Sequence, residues 1–162
     1  MKRIFVLLLT LAMLSGCSIF NKMSKKPMFQ IDGNDMEKTV QKTINELLSS
    51  EWLSAFMANQ NERPIVMTSL ITNNSNGIID ANTIYDTIDM QLIKSGQVRV
   101  VKTNEAQRIL SPYELAKGES VDFVISSLIY NNPNKSESVV YKLTLWGDQS
   151  REPVIEFENI VE

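Results

Sequence analysis

The chain has 162 residues, with 16 Lys+Arg against 19 Asp+Glu, no histidine and one cysteine. A formal net charge of −3 with no basic run argues against nucleic acid as partner, because phosphate recognition needs clustered Lys and Arg. The missing histidine removes the commonest general base and the Ser-His and Cys-His sites, and a single cysteine provides neither an intrachain disulfide nor a zinc thiolate set.

The N-terminus divides by chemistry. Lys2 and Arg3 precede an apolar run, Ile4 to Leu14, which Ser15, Gly16 and Cys17 follow. At about eleven residues, or roughly 16 Å of helix, the run is short for a hydrocarbon core of about 30 Å and reads as a signal h-region. Leu14-Ser15-Gly16-Cys17 resembles the bacterial lipobox: small residues admit the peptidase and the thiol forms the thioether to diacylglycerol. A signal peptide over residues 1–16 and a lipid on Cys17 are therefore expected. Ser18, rather than Asp, after that cysteine implies the outer membrane of a two-membrane bacterium, with the domain facing the periplasm. Residues 17–34 carry Ser, Asn, Lys, Pro and Gly without a period and read as a lipidated tether with a reach of roughly 55–60 Å. Residues 35–162 are the expected globular domain.

Met36, Val40, Ile44, Leu47, Leu48, Trp52, Ala55 and Phe56 recur at steps of three and four. This predicts one helix from Asp35 to about Asn59, capped by Asn34 or Asp35. Pro64 opens a strand over Ile65–Ile71, and the loop from Thr72 to Gly77 is rich in turn residues. A second helix over Ala81–Ser95 has Asp80 as cap, Gly96 as stop, and Ala81, Ile84, Tyr85, Ile88 and Leu92 as its buried face. A short strand at Val98–Val101 precedes a weaker helical stretch from Asn104 to Leu110 and a further turn through Lys117. Val121–Tyr130 is apolar on both faces and predicts a central strand. A hairpin loop at Asn131–Lys135 joins it to an antiparallel partner, Ser138–Trp146, and the turn Gly147–Ser150 follows. In the last strand Ile155, Phe157 and Val161 alternate with Glu156, Glu158 and Ile160, whose carboxylates discourage edge pairing. The predicted fold class is mixed α/β, with order αβαβ(α)βββ and a single mixed sheet of about five strands with helices packed on it.

Chemistry-bearing motifs are scarce. No P-loop or dinucleotide fingerprint appears, so no cofactor, metal or small-molecule substrate is expected. The acid–base candidates are Asp80, Asp86 and Asp89 around the second helix, and Glu156 and Glu158 on the last strand. Solvated surface and edge protection explain them better than catalysis does. Tyr130, ending the central strand, is the aromatic most suited to an interface.

Taken in order, the segments resemble a known family. Leu47-Leu48-Ser49-Ser50-Glu51-Trp52-Leu53, Arg63-Pro64-Ile65-Val66-Met67 and Ile71-Thr72-Asn73-Asn74-Ser75 resemble the start of the LpoB family. So do Ile78-Ile79-Asp80, Ile84-Tyr85-Asp86-Thr87-Ile88 and, most closely, Leu92-Ile93-Lys94-Ser95-Gly96-Gln97-Val98-Arg99. Val121-Asp122-Phe123-Val124 and Val139-Val140-Tyr141 complete a match over roughly residues 36–146. The resemblance implies an outer-membrane lipoprotein, not an enzyme, that binds and activates a bifunctional penicillin-binding protein. The stretch between Val101 and Val121, and the tether, are shorter than the family's pattern. The partner-binding candidates are Asn73, Asn74, Ser75 and Tyr130. The alternative reading is an envelope-assembly or secretion lipoprotein related to the curli-secretion fold.

Overall fold

The computed structural model describes residues 28–104, 110–118, 120–147 and 152–162. The expected signal segment, Cys17 and the tether up to residue 27 lie outside the described residues. So do residues 105–109 of the stretch after Asn104, and residues 148–150 of the last turn.

The fold begins earlier than the composition suggests. β1 (Phe29–Gln30) pairs in parallel with β3 (Gly77–Ile78), and Ile31 is buried in the main core. Residues 28–34 thus belong to the folded body rather than the tether. A strand of two residues leaves no period to read, but burying a side chain such as Ile31 contributes about 1.5–3 kcal/mol. Helix α1 (Gly33–Ser49) is capped by Asp32, not by Asn34 or Asp35: its carboxylate accepts the Asn34 N–H at 2.8 Å.

The expected single helix is two. At Ser50 the backbone is extended, and α2 (Glu51–Gln60) starts in a new direction. Three donors converge on the Leu47 carbonyl: the Ser50 N–H at 3.2 Å, the Ser50 hydroxyl at 2.6 Å and the Trp52 indole N–H at 2.7 Å. Local serine bonds of this kind compete with helix continuation, which hydrophobic periodicity does not register. As a result Ala55 is exposed and Phe56 is only half-buried, its ring meeting Phe123 edge-on at 5.4 Å.

β2 (Ile65–Asn73) extends two residues past the expected end. Helix α3 (Ala81–Ser95) has the predicted bounds, with the Asp80 carboxylate accepting the Asn82 N–H at 2.9 Å and Gly96 stopping it at φ 63°. Its buried face holds Ile84, Tyr85, Ile88 and Leu92; Ala81, in the first turn beside the cap, is exposed. Then follow β4 (Arg99–Val101), α4 (Pro112–Gly118), β5 (Phe123–Asn131), β6 (Val139–Gly147) and β7 (Pro153–Val161).

The main sheet runs β4-β2-β5-β6-β7, with β2 parallel to β4 and β5, and β5, β6 and β7 antiparallel. It is the mixed five-stranded sheet expected, with β5 at its centre. Helices α1 and α3 cover one face, where Val40, Ile44, Leu47, Ile84 and Ile88 pack on Ile125, Ile129, Tyr141 and Leu143. On the opposite face α4 supplies Leu115 to a smaller cluster with Met67, Val121 and Val124. That cluster lies where β2 and β5 begin and, among the described residues, leaves the rest of the face without a helix.

Candidate functional site

One end of the sheet gathers the loop after β2, the strand β3, the hairpin between β5 and β6, and β1. Asn73 organises the loop. Its Oδ1 accepts the Ser75 N–H at 2.9 Å and the Ser75 hydroxyl at 2.6 Å, and its Nδ2 donates to the Gly77 carbonyl at 2.9 Å. The Ser75 hydroxyl oxygen in turn accepts the Gly77 N–H at 3.0 Å. Asn73 and Ser75 are therefore spent on loop shape, whereas Asn74 bonds β5 through its main chain, to the Ile129 carbonyl at 2.7 Å, and is exposed.

Tyr130 stands near this loop but on the other side of the sheet. Ile129 points into the main core, so alternation along β5 directs Tyr130 to the face that α4 leaves open. Burial, and then the Glu158 carboxylate beside it, raise the Tyr130 phenol above its usual range. Lys142 sits between Glu156 at 2.8 Å and Glu158 at 3.6 Å, and these pairs raise its ammonium pKa. Ile160 and Val154 at the rim are 55% and 45% exposed. Apolar rim, tyrosine and compensated charge form a surface suited to a protein partner, in which aromatic anchors dominate binding.

Of the carboxylates weighed for catalysis, all but Asp86 have structural employment. Asp80 caps α3 and accepts the Thr83 hydroxyl at 3.0 Å. Asp89 turns inward to accept the Thr68 hydroxyl at 3.1 Å, while Asp86 is exposed, so the two do not form a dyad. Glu156 and Glu158 hold Lys142 at the sheet edge. Among the described residues no group of three or more Asp, Glu, His or Cys is placed to hold a metal, and no helix is long and apolar enough to cross a membrane.

Sequence reasoning singled out the loop and Tyr130 and did not single out their neighbours at this sheet end. Phe29 lay in the supposed tether, and Asn131 and Asn132 read as ordinary turn residues. Only the density of asparagine in two loops at the same sheet end could have paired them.

A family model described as peptidoglycan-synthase activator LpoB matches residues 35–122. A model of the prokaryotic membrane lipoprotein lipid attachment site matches residues 1–18, which supports a lipid-anchored chain. No curated protein matches. The fold is similar to the LpoB C-terminal domain from Escherichia coli, with TM-score 0.60 and 14% identity over 79% of this chain and 98% of that one. It is also similar to the LpoB C-terminal domain from Salmonella enterica, at 0.57 and 18% over 81% and 98%. The Escherichia coli LpoB structure from NMR gives 0.50 and 15% over 78% and 67%. With the family model spanning more than half of its length, the chain belongs to the LpoB family of peptidoglycan-synthase activators.

Proposed function

We propose that the chain is lipidated on Cys17, held at the outer membrane, and activates a bifunctional penicillin-binding protein through its folded domain. The family match carries this reading, and the open face of the sheet around Tyr130 supplies a surface for it. Activation by binding needs no catalytic residue: a domain that binds the active state of the synthase more tightly shifts its population toward that state. The exposed side chain of Asn74 and the ring of Tyr130 are the contacts assigned to the partner.

The test mixes the full lipidated chain, in detergent, with the bifunctional penicillin-binding proteins of its own organism and measures glycan polymerisation and crosslinking. A several-fold rise with one of them is the expected result. Tyr130→Ala should weaken binding by about tenfold or more if the ring is an anchor, whereas Asp86→Asn should not change it. No rise and no binding with any synthase would discard the activator role and move the envelope-assembly reading forward.

A further inference from the structure

Between β1, the loop after β2 and the β5–β6 hairpin lies a cleft of about 220 Å³, lined among others by Phe29, Asn76, Asn131, Asn132, Lys135 and Glu137. Its polar groups are oriented by the backbone. The Asn131 Oδ1 accepts the Asn76 N–H at 2.9 Å, and the Asn132 Oδ1 accepts the Asn134 N–H at 2.9 Å. With both amide oxygens so engaged, the amide orientations are fixed. Neither Nδ2 group has a protein acceptor among the described residues, so two donors are left for an incoming molecule.

Charge selects the ligand class. Lys135 is paired with Glu162 at 3.0 Å, and Glu137 adds a carboxylate at the same wall, so the cleft holds no net positive charge for an anion. Glu137 sits in the left-handed region at φ 58°, a conformation that costs a residue with a Cβ and that the hairpin nevertheless maintains at the rim of the cleft. Fixed amide donors, a carboxylate acceptor, the Ser136 hydroxyl and the exposed part of the Phe29 ring match a molecule that both donates and accepts and has an apolar flank; Ser138 is buried and its hydroxyl donates to the Lys135 carbonyl at 3.2 Å, so it shapes the wall without offering a contact. The volume is below the roughly 300–1,000 Å³ typical of drug-sized ligands, so one ring enters and the remainder of a longer ligand stays outside.

We propose that this cleft binds one ring of a neutral N-acetylated hexosamine glycan. Sugar hydroxyls pair with the Glu137 carboxylate and the Ser136 hydroxyl, the acetamido carbonyl accepts from the Asn131 and Asn132 amides, and the ring's C–H face lies on the exposed part of Phe29. The lining accommodates this ligand class whether or not the synthase reading holds, and the site departs from the expectation of no small-molecule ligand.

The full chain, in a detergent without sugar headgroups, is titrated with chitotriose and, separately, with cellotriose, which lacks the acetamido groups. Binding is followed by calorimetry and by ¹⁵N amide shifts. Saturable millimolar binding of chitotriose is expected, with shifts confined to Phe29, Asn76 and the 131–138 hairpin, and with much weaker binding of cellotriose. Asn131→Asp and Asn132→Asp each keep the acceptor oxygen that the backbone needs and lose the outward donor. Each should weaken chitotriose by about tenfold while the amide spectrum stays folded. Phe29→Leu gives an independent third variant should an Asp variant unfold. Absence of saturable binding, shifts mapping elsewhere, equal affinity for cellotriose, or variants that bind like the parent would each overturn the proposal. Synthase activation measured with the same variants separates this cleft from the Tyr130 face.

Discussion

Ser69 carries the side-chain polar atom that, among the described residues, is buried without a hydrogen-bond partner. It lies where the register between β2 and β5 slips, between Thr68 and Ile71, so an irregularity in the ladder takes the hydroxyl away from the groups that would satisfy it. Removing a buried, unsatisfied hydroxyl should help rather than harm. Ser69→Ala is expected to raise unfolding free energy by about 1 kcal/mol in urea melts, and a comparable loss would mean that the hydroxyl has a buried water as partner. At the same scale, Lys142 and Tyr130 both hold their protons more tightly in the fold than in the unfolded chain. Raised pKa values of this kind stabilise below the unfolded value and lose their effect as pH climbs through the folded one. The contribution of these two groups to stability should therefore be level up to about pH 10 and fall above it. Lys142→Met should flatten part of that fall, and an unchanged alkaline slope would remove Lys142 from the account. None of these side-chain environments was legible in the sequence. Tyr130 was selected for its type and its place at a strand end, while its neighbour Glu158 is brought to it only by the pairing of β5, β6 and β7.

At the scale of elements, legibility followed local chemistry. Helix α3 was predicted to the residue because Asp80 and Gly96 punctuate it by mechanisms that act within a turn. The edge role of β7 was visible in its alternation, and the central place of β5 in its two apolar faces. The division of α1 from α2 was not visible, because it depends on one carbonyl and three donors rather than on periodicity. β1 was not visible either, since its pairing partner lies 48 residues on, Phe29 against Gly77. Gly77 is where this pairing is tightest. A Cβ there would meet Ile31 Cγ1 at 2.9 Å, Ser75 Oγ at 3.2 Å and Val139 Cγ1 at 3.4 Å, without any positive φ to relieve. Gly77→Ala should destabilise the protein by about 1–3 kcal/mol through overpacking, measured by denaturant unfolding. It should also loosen β1, seen as faster amide exchange at Phe29. A neutral Gly77→Ala would show that β1 and Ile31 shift at little cost.

At the scale of the whole molecule, the position of β1 changes the geometry of anchoring. If lipid is carried by Cys17 and the folded body starts at Met28, the connecting residues 17–27 span at most roughly 35–40 Å even fully extended, well under the reach that the composition suggested. The family fold was legible because many weak segments kept their order; the place of residues 28–34 in the folded body was not, because two residues of strand and one buried isoleucine decide it. The start of the folded body is then held within that distance of the anchoring membrane, and only the domain's own length adds to the reach of its surfaces. Inserting a flexible Gly/Ser stretch between Lys26 and Met28 relaxes this limit without touching the folded surfaces. With purified proteins in detergent, where the anchor imposes no distance, activation should be the same with and without the insert. In cells, where the anchor does impose it, synthase crosslinking to the lengthened chain should increase. A decrease in cells with purified activity intact would mean that the short reach holds the domain at its partner instead of limiting access to it, and would place that partner close to the anchoring membrane.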